Sequence, residues 1–592
     1  MLKKKYEKVL AAALSCTMLA SMLTGCGSDT AAEAPESEAV VEAEESVSAA
    51  KPEEKETAES VAEEAFDAKA VCEGVTLTVA VPEKTRIADW DENDQTKLVE
   101  ETLGVNLEFE VYPSADFTSK INAMVMAGDE LPDIIMQVDE TYNNWAAEGA
   151  LLELSEYYED PNLAANIMHA SEGAGYDIGS YMKNGEGEIY ALPKLEQGYG
   201  MQAWQRLWIY KPWLDQLGKD IPKTIDEFYE ICKLVKENDM NGNGDTTDEV
   251  VIAGDGFNKA SDYGWSDWFE PLMSAFVYAY DPNFFVVKDG QVSLAYTSEE
   301  WKEGLTYIKK FFDEGLIGSE IFTNTSEDTK ATMYTELPTA LSFTGWAYEG
   351  PDNSICIDYT YVTGLTNADG ENGASMYMPI LPSAGAVISA DCENPEAAFL
   401  VCDFLCSEYV SLMTRYGKEG ENWVYWDQLV DEGEFNPDDF VAQGGGNIEW
   451  LSSYKDTTFW SSQETTTSSW LQTGPFIRNA ALQSVRARQI SAETEEEKLK
   501  IACTSLDFES KDAGVSNAQA EVFDYAPLTN EEMEAVADVK ITAMNYVSEM
   551  TAAFLTGSRD IEAEWDAYLA ELEKIGVYDM LEIYQEAYSR VH

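Results

Sequence analysis

The stretch from residue 75 to 137 limits the fold more than any other. "VTLTVAVPE" alternates and then runs apolar, as a buried strand does. "DQTKLVEETLG" has helical spacing and ends at Gly104, where a helix can stop. "VNLEFEVYP" reads as a second strand, and "DFTSKINAMVMAGDELPDIIMQ" as helix, turn and third strand. Strands separated by helices of this length pair in parallel, because each helix carries the chain back across the sheet. The expected fold class is α/β. "WAAEGALLELSEYYED" is expected as a further helical segment capping that layer.

The N-terminus reads differently. Lys3, Lys4, Lys5 and Lys8 precede a short apolar run from Val9 to Leu23. The run is too short, and too soon followed by small residues, to span a bilayer, so it reads as an export signal. Leu23, Thr24, Gly25 and Cys26 resemble the lipobox of bacterial lipoproteins at each position. The resemblance implies a signal peptide over 1–25 and a fatty-acyl (palmitate) anchor on Cys26. An ordinary signal peptide with a chance cysteine is the plainer alternative. From 26 to 70 the chain is almost only Ala, Glu, Ser, Val, Thr, Pro and Lys, with Phe66 as its one aromatic residue. Such a segment buries too little apolar surface to offset its ordering entropy, and is expected as a disordered acidic stalk. No later run is long and apolar enough to cross a bilayer, so the chain is expected to be tethered.

Residues 71–592 are rich in Trp, Tyr, Phe and Leu and long enough for two lobes. The formal charge of −72 argues against nucleic acid and anionic membrane surfaces as partners. An acidic ligand would need a local basic pocket working against that field. Only His169 and His592 are histidines, which disfavours zinc ligation, a Ser-His nucleophile and a histidine base. The nine cysteines, at 16, 26, 72, 232, 356, 392, 402, 406 and 503, form no disulfide framework by spacing. Cys402 and Cys406 share a helix face with Phe399 and Tyr409, where core packing is a better reading than a metal pair. No glycine loop precedes a helix in the manner of a phosphate cradle.

Local signals place other elements. Thr224 and Glu227 form a capping box, Asn394-Pro395 opens a helix, and Trp565, Tyr568, Leu569, Leu572 and Ile575 make one apolar face ending at Gly576. These elements suit an enzyme equally well. The order of segments says more: "ETLGVNLEF", "INAMVMAGDELPDIIM", "EGALLELSEYY", "GEIYALPK" and "LWIYKPWLDQLGKDIPKTIDEFYEICKLV". With "RYGKEGENWVYW" and the final segment 552–590, this order resembles the extracellular solute-binding proteins (family 1) of bacterial ABC sugar importers, in their lipoprotein subgroup.

The resemblance implies two α/β lobes of the periplasmic-binding-protein type, hinged around a ligand cleft. Lobe 1 is expected over about 71–192 and 385–415, and lobe 2 over about 193–384 and 416–592. Crossings are expected near 191–194, near 377–385 and near 415–422. The implied role is a monomeric, lipid-anchored receptor at the outer face of the membrane of a Gram-positive cell. It would deliver an oligosaccharide to ABC permease subunits and perform no catalysis. A binding protein for peptides or another small solute, and an exported carbohydrate-active enzyme, are the alternatives.

Sugar rings need flat aromatic platforms and a rim of polar groups, here sought in loops that follow strands. The candidates are Trp90, Asp91, Asp139, Tyr199, Trp204, Arg206, Trp265, Trp268 and Trp346. Glu140 and Tyr142 lie beside Asp139, Trp423 and Trp426 are weaker candidates, and Trp208 and Trp213 are assigned to the core. The competing reading for every Trp is simple burial. A further loop, "DMNGNGDTTDE", spaces Asp239, Asn241, Asn243 and Asp245 alternately and ends in Asp248 and Glu249. That is oxygen chemistry suited to calcium. Val250 stands where a sensor loop has Glu, and "VVIAG" follows instead of a helix, so the ion is expected as a structural peg. An Asn-Gly turn without metal is the alternative.

Overall fold

The computed structural model describes residues 66–203, 206–255, 267–280, 283–333, 335–345, 357–375, 377–432, 436–452 and 464–592. Nine of its strands build two principal sheets. They are β1 (Thr76–Pro82), β2 (Asn106–Tyr112), β3 (Ile134–Met136), β4 (Ala191–Glu196), β5 (Arg206–Tyr210), β6 (Ser342–Gly345), β7 (Tyr359–Val362), β8 (Ser383–Ile388) and β9 (Phe476–Arg478). The first sheet has the order β9-β4-β8-β3-β1-β2, and the second β6-β5-β7.

The expected β–α–β start is present. β1 pairs in parallel with β2 over seven residues and with β3. Helix α1 (Asp94–Leu103) joins the first two strands, capped by the Asn93 side chain and stopped at Gly104 with φ 76°. β8 runs antiparallel between β3 and β4, and β9 is parallel to β4. The segment "WAAEGALLELSEYYED" forms two short helices, Tyr142–Ala147 and Ser155–Glu159, divided by Leu151, which bridges to Ser389.

Two separate cores divide the molecule. The first packs Leu77, Val79, Val81, Ile134, Val387, Phe399, Cys402 and Cys406 around the six-stranded sheet. The second gathers Trp208, Trp213, Phe228, Trp301, Phe311, Phe554, Trp565 and Tyr568. Its helices α2 (Ile225–Lys236), α4 (Glu495–Ser516) and α5 (Asn530–Leu555) all start with a capping box, the first being the Thr224–Glu227 pair. Helix α3 (Pro395–Leu405) belongs to the first core; it opens with Pro at its first turn. Among the described residues no single helix is long and apolar enough to cross a membrane.

The distribution of the chain between cores corrects the expected boundaries. β4 belongs to the first sheet, so the first crossing is the segment 197–205 that follows it. Of the described residues of 416–489, expected in lobe 2, Trp470, Leu471 and Ile477 lie within the first core and β9 extends its sheet, while Trp423, Trp450 and Leu482, and Val424, Leu429, Leu451 and Ala487, make two small clusters of their own. The last crossing therefore falls between Gln489 and α4, not at 415–422.

Candidate functional site

β1, β2, β3, β4 and β9 point the same way, and β8 opposes them. Five carboxyl ends and the start of β8 thus share one edge. The first crossing leaves from that edge after Glu196, and the second returns to it at Ser383. Ligands of open α/β sheets bind beyond the carboxyl ends of strands, where the strand order reverses. The order reverses here between β1 and β3, because β2 lies on one side of β1 and β3 on the other.

A cavity of about 700 Å³ lies where the two crossings meet the lobes. Gln197 and Gln202 enter it from the first crossing, Tyr377 from the second, Tyr176 and Tyr181 from the first lobe, and Tyr588 from the C-terminal helix α7 (Val577–Val591), which follows α6 (Ile561–Ile575). Gln197 Nε2 donates to the Tyr176 hydroxyl at 3.3 Å, and that hydroxyl donates to Ile380 O at 3.0 Å. Tyr176 and Tyr181 meet edge to face at 4.8 Å. Rings held by amides and hydroxyls in a space of this size can take a sugar of several residues, stacked on its apolar faces.

The residues expected from sequence are only partly gathered. Asp91 is exposed in the loop beyond β1, and Asp139 is exposed beyond β3, where its carboxylate accepts the Thr141 N–H at 3.0 Å. Trp90 is 8% exposed; it packs on Phe109 at 5.2 Å and against Trp470 in the first core. Tyr199 stands in the first crossing, its hydroxyl donating to Asp512 at 2.9 Å and its ring stacked on Phe508. Two expectations are overturned by burial. Trp268 is fully enclosed among Phe269, Phe312 and Phe322, because a large ring beside a helix start serves the core of the second lobe equally well. Arg206 is buried and bonded to Asp507, which also binds Lys511 at 2.9 Å. Trp423 is likewise wholly buried. Trp204, Trp265, Trp346 and Cys26 lie outside the described residues.

Other groups at the edge were not among the candidates. Gln137, at the end of β3, has φ 60°, a left-handed conformation that a non-glycine side chain adopts at a cost. Its N–H donates to Gly385 O at 2.8 Å. Lys84 follows β1, and Lys194 lies in β4. Arg478 of β9 is fully buried, paired with Glu196 and laid over Phe476 at 4.4 Å. The loop-after-strand search took in the polar residues Asp91 and Asp139 but passed over Lys84 and Gln137 at the same edge.

The loop 239–249 has its own geometry. Asp239 accepts the N–H groups of Gly242, Asn243 and Gly244, and Gly242 and Gly244 take φ 75° and 90° to let the chain curl. Asp248 Oδ2 accepts from the amides of Asn241 (3.2 Å) and Asn243 (2.7 Å). The Thr247 hydroxyl and N–H hold Asp245 below its ordinary carboxylate range. Glu249 is buried, with Oε1 accepting the Met240 N–H at 2.8 Å. Asp248 Oδ1 and Glu249 Oε2 are buried and have no hydrogen-bond partner. Two orphaned carboxylate oxygens fit a hard cation. Among the described residues no three His, Cys, Asp or Glu side chains are gathered as one ion would require, so an ion here would have to draw Asp239 or the Asn oxygens inward.

Residues 96–418 match the family described as "Bacterial extracellular solute-binding protein". The chain belongs to this family. A relative from Streptococcus pneumoniae serotype 4 (strain ATCC BAA-334 / TIGR4), the "Fructooligosaccharide ABC transporter substrate-binding protein FusA", is 24% identical over 520 residues, spanning 83% of this chain and 86% of that protein. "Lipoprotein LipO" of Bacillus subtilis (strain 168) is 29% identical over 253 residues, 41% of this chain and 45% of that one. The solved structure of the S. pneumoniae "FusA EF-hand mutant in complex with fructo-nystose" superposes with a TM-score of 0.61 at 22% identity, covering 87% of this chain and 99% of that chain. The two-lobe solute-binding fold is common to both.

Proposed function

We propose that this protein is the extracellular receptor of an ABC importer and captures an oligosaccharide in the cleft between its lobes. The observation that carries the reading is the cavity at the two crossings, where tyrosines from both lobes meet the glutamines of the first crossing. A ligand there touches both lobes at once, so it favours whichever hinge position brings them together. The closed form would then dock on the permease, with no bond made or broken. The name of the FusA relative supports the sugar and the importer.

Two features complete the proposal. Cys26 carries the lipid that holds the receptor at the outer face of the membrane, in keeping with the lipobox and with the LipO relative. The loop 239–249 holds calcium through Asp239, Asn241, Asn243, Asp245, Asp248 and Glu249, as a peg that fixes the loop below α2; the EF-hand named for the FusA structure supports it. The ion supplies charge to the orphaned oxygens and takes no part in ligand capture.

Calorimetric titration with plant, microbial and host oligosaccharides tests the reading. Saturable binding of at least one sugar at micromolar or tighter affinity is expected. Peptide binding in its place would transfer the protein to another solute class.

A further inference from the structure

We propose that a turn of the first lobe and a strap of the second form a latch, apart from the crossings, that biases the hinge toward the lobe orientation seen here. The latch acts on lobe position whichever solute the protein takes. The turn is 183–188, between Met182 and Ile189 of the first core. It is rigid in itself. Lys183 bridges to Ile189, the Asn184 N–H donates to Glu188 O at 2.9 Å, and the Asn184 side chain accepts the N–H groups of Glu186 and Glu188 at 3.0 and 2.8 Å. The strap is 523–530, the run that leads into α5. Phe523, Ala526 and Leu528 pack against the second core, and Arg590 of α7 donates to Pro527 O at 2.8 Å, so the strap moves with the second lobe.

Three hydrogen bonds pass from one lobe to the other. The Gly185 N–H donates to Leu528 O at 3.0 Å, the Tyr525 hydroxyl to Lys183 O at 2.5 Å, and the Asn530 N–H to Glu186 Oε1 at 3.1 Å. The last sets a first-lobe carboxylate at the N-terminus of α5, where unpaired N–H groups and the helix dipole favour negative charge. The two backbones meet so closely that a Cβ at Gly185 would collide with the Leu528 carbonyl and the Thr529 nitrogen. Glycine is therefore the residue that lets the turn seat on the strap. Tyr525 also packs its ring on Tyr181 at 5.0 Å, and Tyr181 meets Tyr176 in the cavity wall, so the latch is continuous with the cavity. None of the three bonds lies in a crossing, and a hinge motion that lifts the strap off the turn breaks them all. Three bonds at the low end of ordinary net strength shift a two-state population by about tenfold. Both lobes line the cavity in this orientation, so the latched form is the one with the lobes together.

The test uses the full chain with Cys26→Ala, made without lipid and kept free of sugar. Glu186→Ala combined with Tyr525→Phe removes two of the three bonds, adds no bulk and keeps the ring on Tyr181. Gly185→Ala forces the backbones apart. Neither variant alters a residue that lines the cavity. Small-angle scattering should give both variants a larger radius of gyration than the parent. Amide exchange over 183–188 and 525–532 should quicken by about tenfold. Exchange over β1 and α2, one in each core, should match the parent and show that both lobes remain folded. If Gly185→Ala unfolds a lobe, the double variant decides alone. Faster exchange at an unchanged radius would reduce the contact to a surface patch that holds nothing, and would overturn the inference. A smaller radius, or exchange equal to the parent's, would overturn it as well. These readouts need no sugar, so the receptor reading stands or falls on its own titration.

Discussion

Arg206 shows how a side chain that looks fit for a ligand is used otherwise. It follows a crossing, as a cleft arginine would, yet its guanidinium is enclosed with Asp507 and the Ala203 carbonyl, 2.8 Å away. Asp507 lies 301 positions further along the chain, a pairing that no local pattern discloses. Removing one member of a buried ion pair leaves the other charge uncompensated. Arg206→Ala is expected to lower unfolding stability by about 3 kcal/mol, the low end of that penalty, because Lys511 still faces Asp507. Urea denaturation measures this, and an unchanged midpoint would contradict the structural role. Asp403 gives a second prediction at this scale. Burial lifts its carboxyl from 3.8 to about 6, against the N–H groups of Ile167 and Asn166 that favour the charged form. The folded state thus holds this proton more tightly than the unfolded chain. Its contribution to stability is greatest below pH 3.8, declines as pH rises towards 6, and is smallest above that. Asp403→Asn should abolish this component. Compared with the variant, the parent should gain stability between about pH 7 and about pH 4.5. Parallel pH profiles would refute it. The aromatic candidates divide for a related reason: a Trp in a loop after a strand reads alike whether it faces a cleft or a core, and Trp268 chose the core.

Elements fixed by neighbours in sequence were the most legible. The Thr224 capping box, the stop at Gly104, the Pro395 start and the α6 face ending at Gly576 depend on residues within one or two turns, and all are present. The loop 239–249 is legible in its ligands but not in its geometry, because the Asn and Asp side chains also bond to their own backbone. Its prediction is thermal. Calcium should raise the melting temperature of the parent, by an amount equivalent to about 3 kcal/mol when the free ion stands about a hundredfold above its dissociation constant. Glu249→Gln should lose most of that response. Equal melting in calcium and in chelator would leave the loop as a metal-free turn.

At the scale of the molecule, the parallel start of the sheet followed from the β–α–β pattern, while the allotment of later segments to lobes did not. β9 joins β4 across a long separation, and Trp470 reaches the first core through Gln95 and Thr96, so residues 470–478 could be placed only by contacts distant in sequence. In the proposed function, a cavity lined from both lobes couples occupancy to closure. Closure should appear in small-angle scattering as a smaller radius of gyration on saturation with the cognate sugar; an unchanged radius would argue against a hinge. The most direct measurement is native mass spectrometry of the full chain, bearing Cys26→Ala, after prolonged incubation with mixed oligosaccharides. The account predicts one intact oligosaccharide retained per chain and an unaltered mixture in solution. Shortened products, or a chain that retains no sugar, would contradict it.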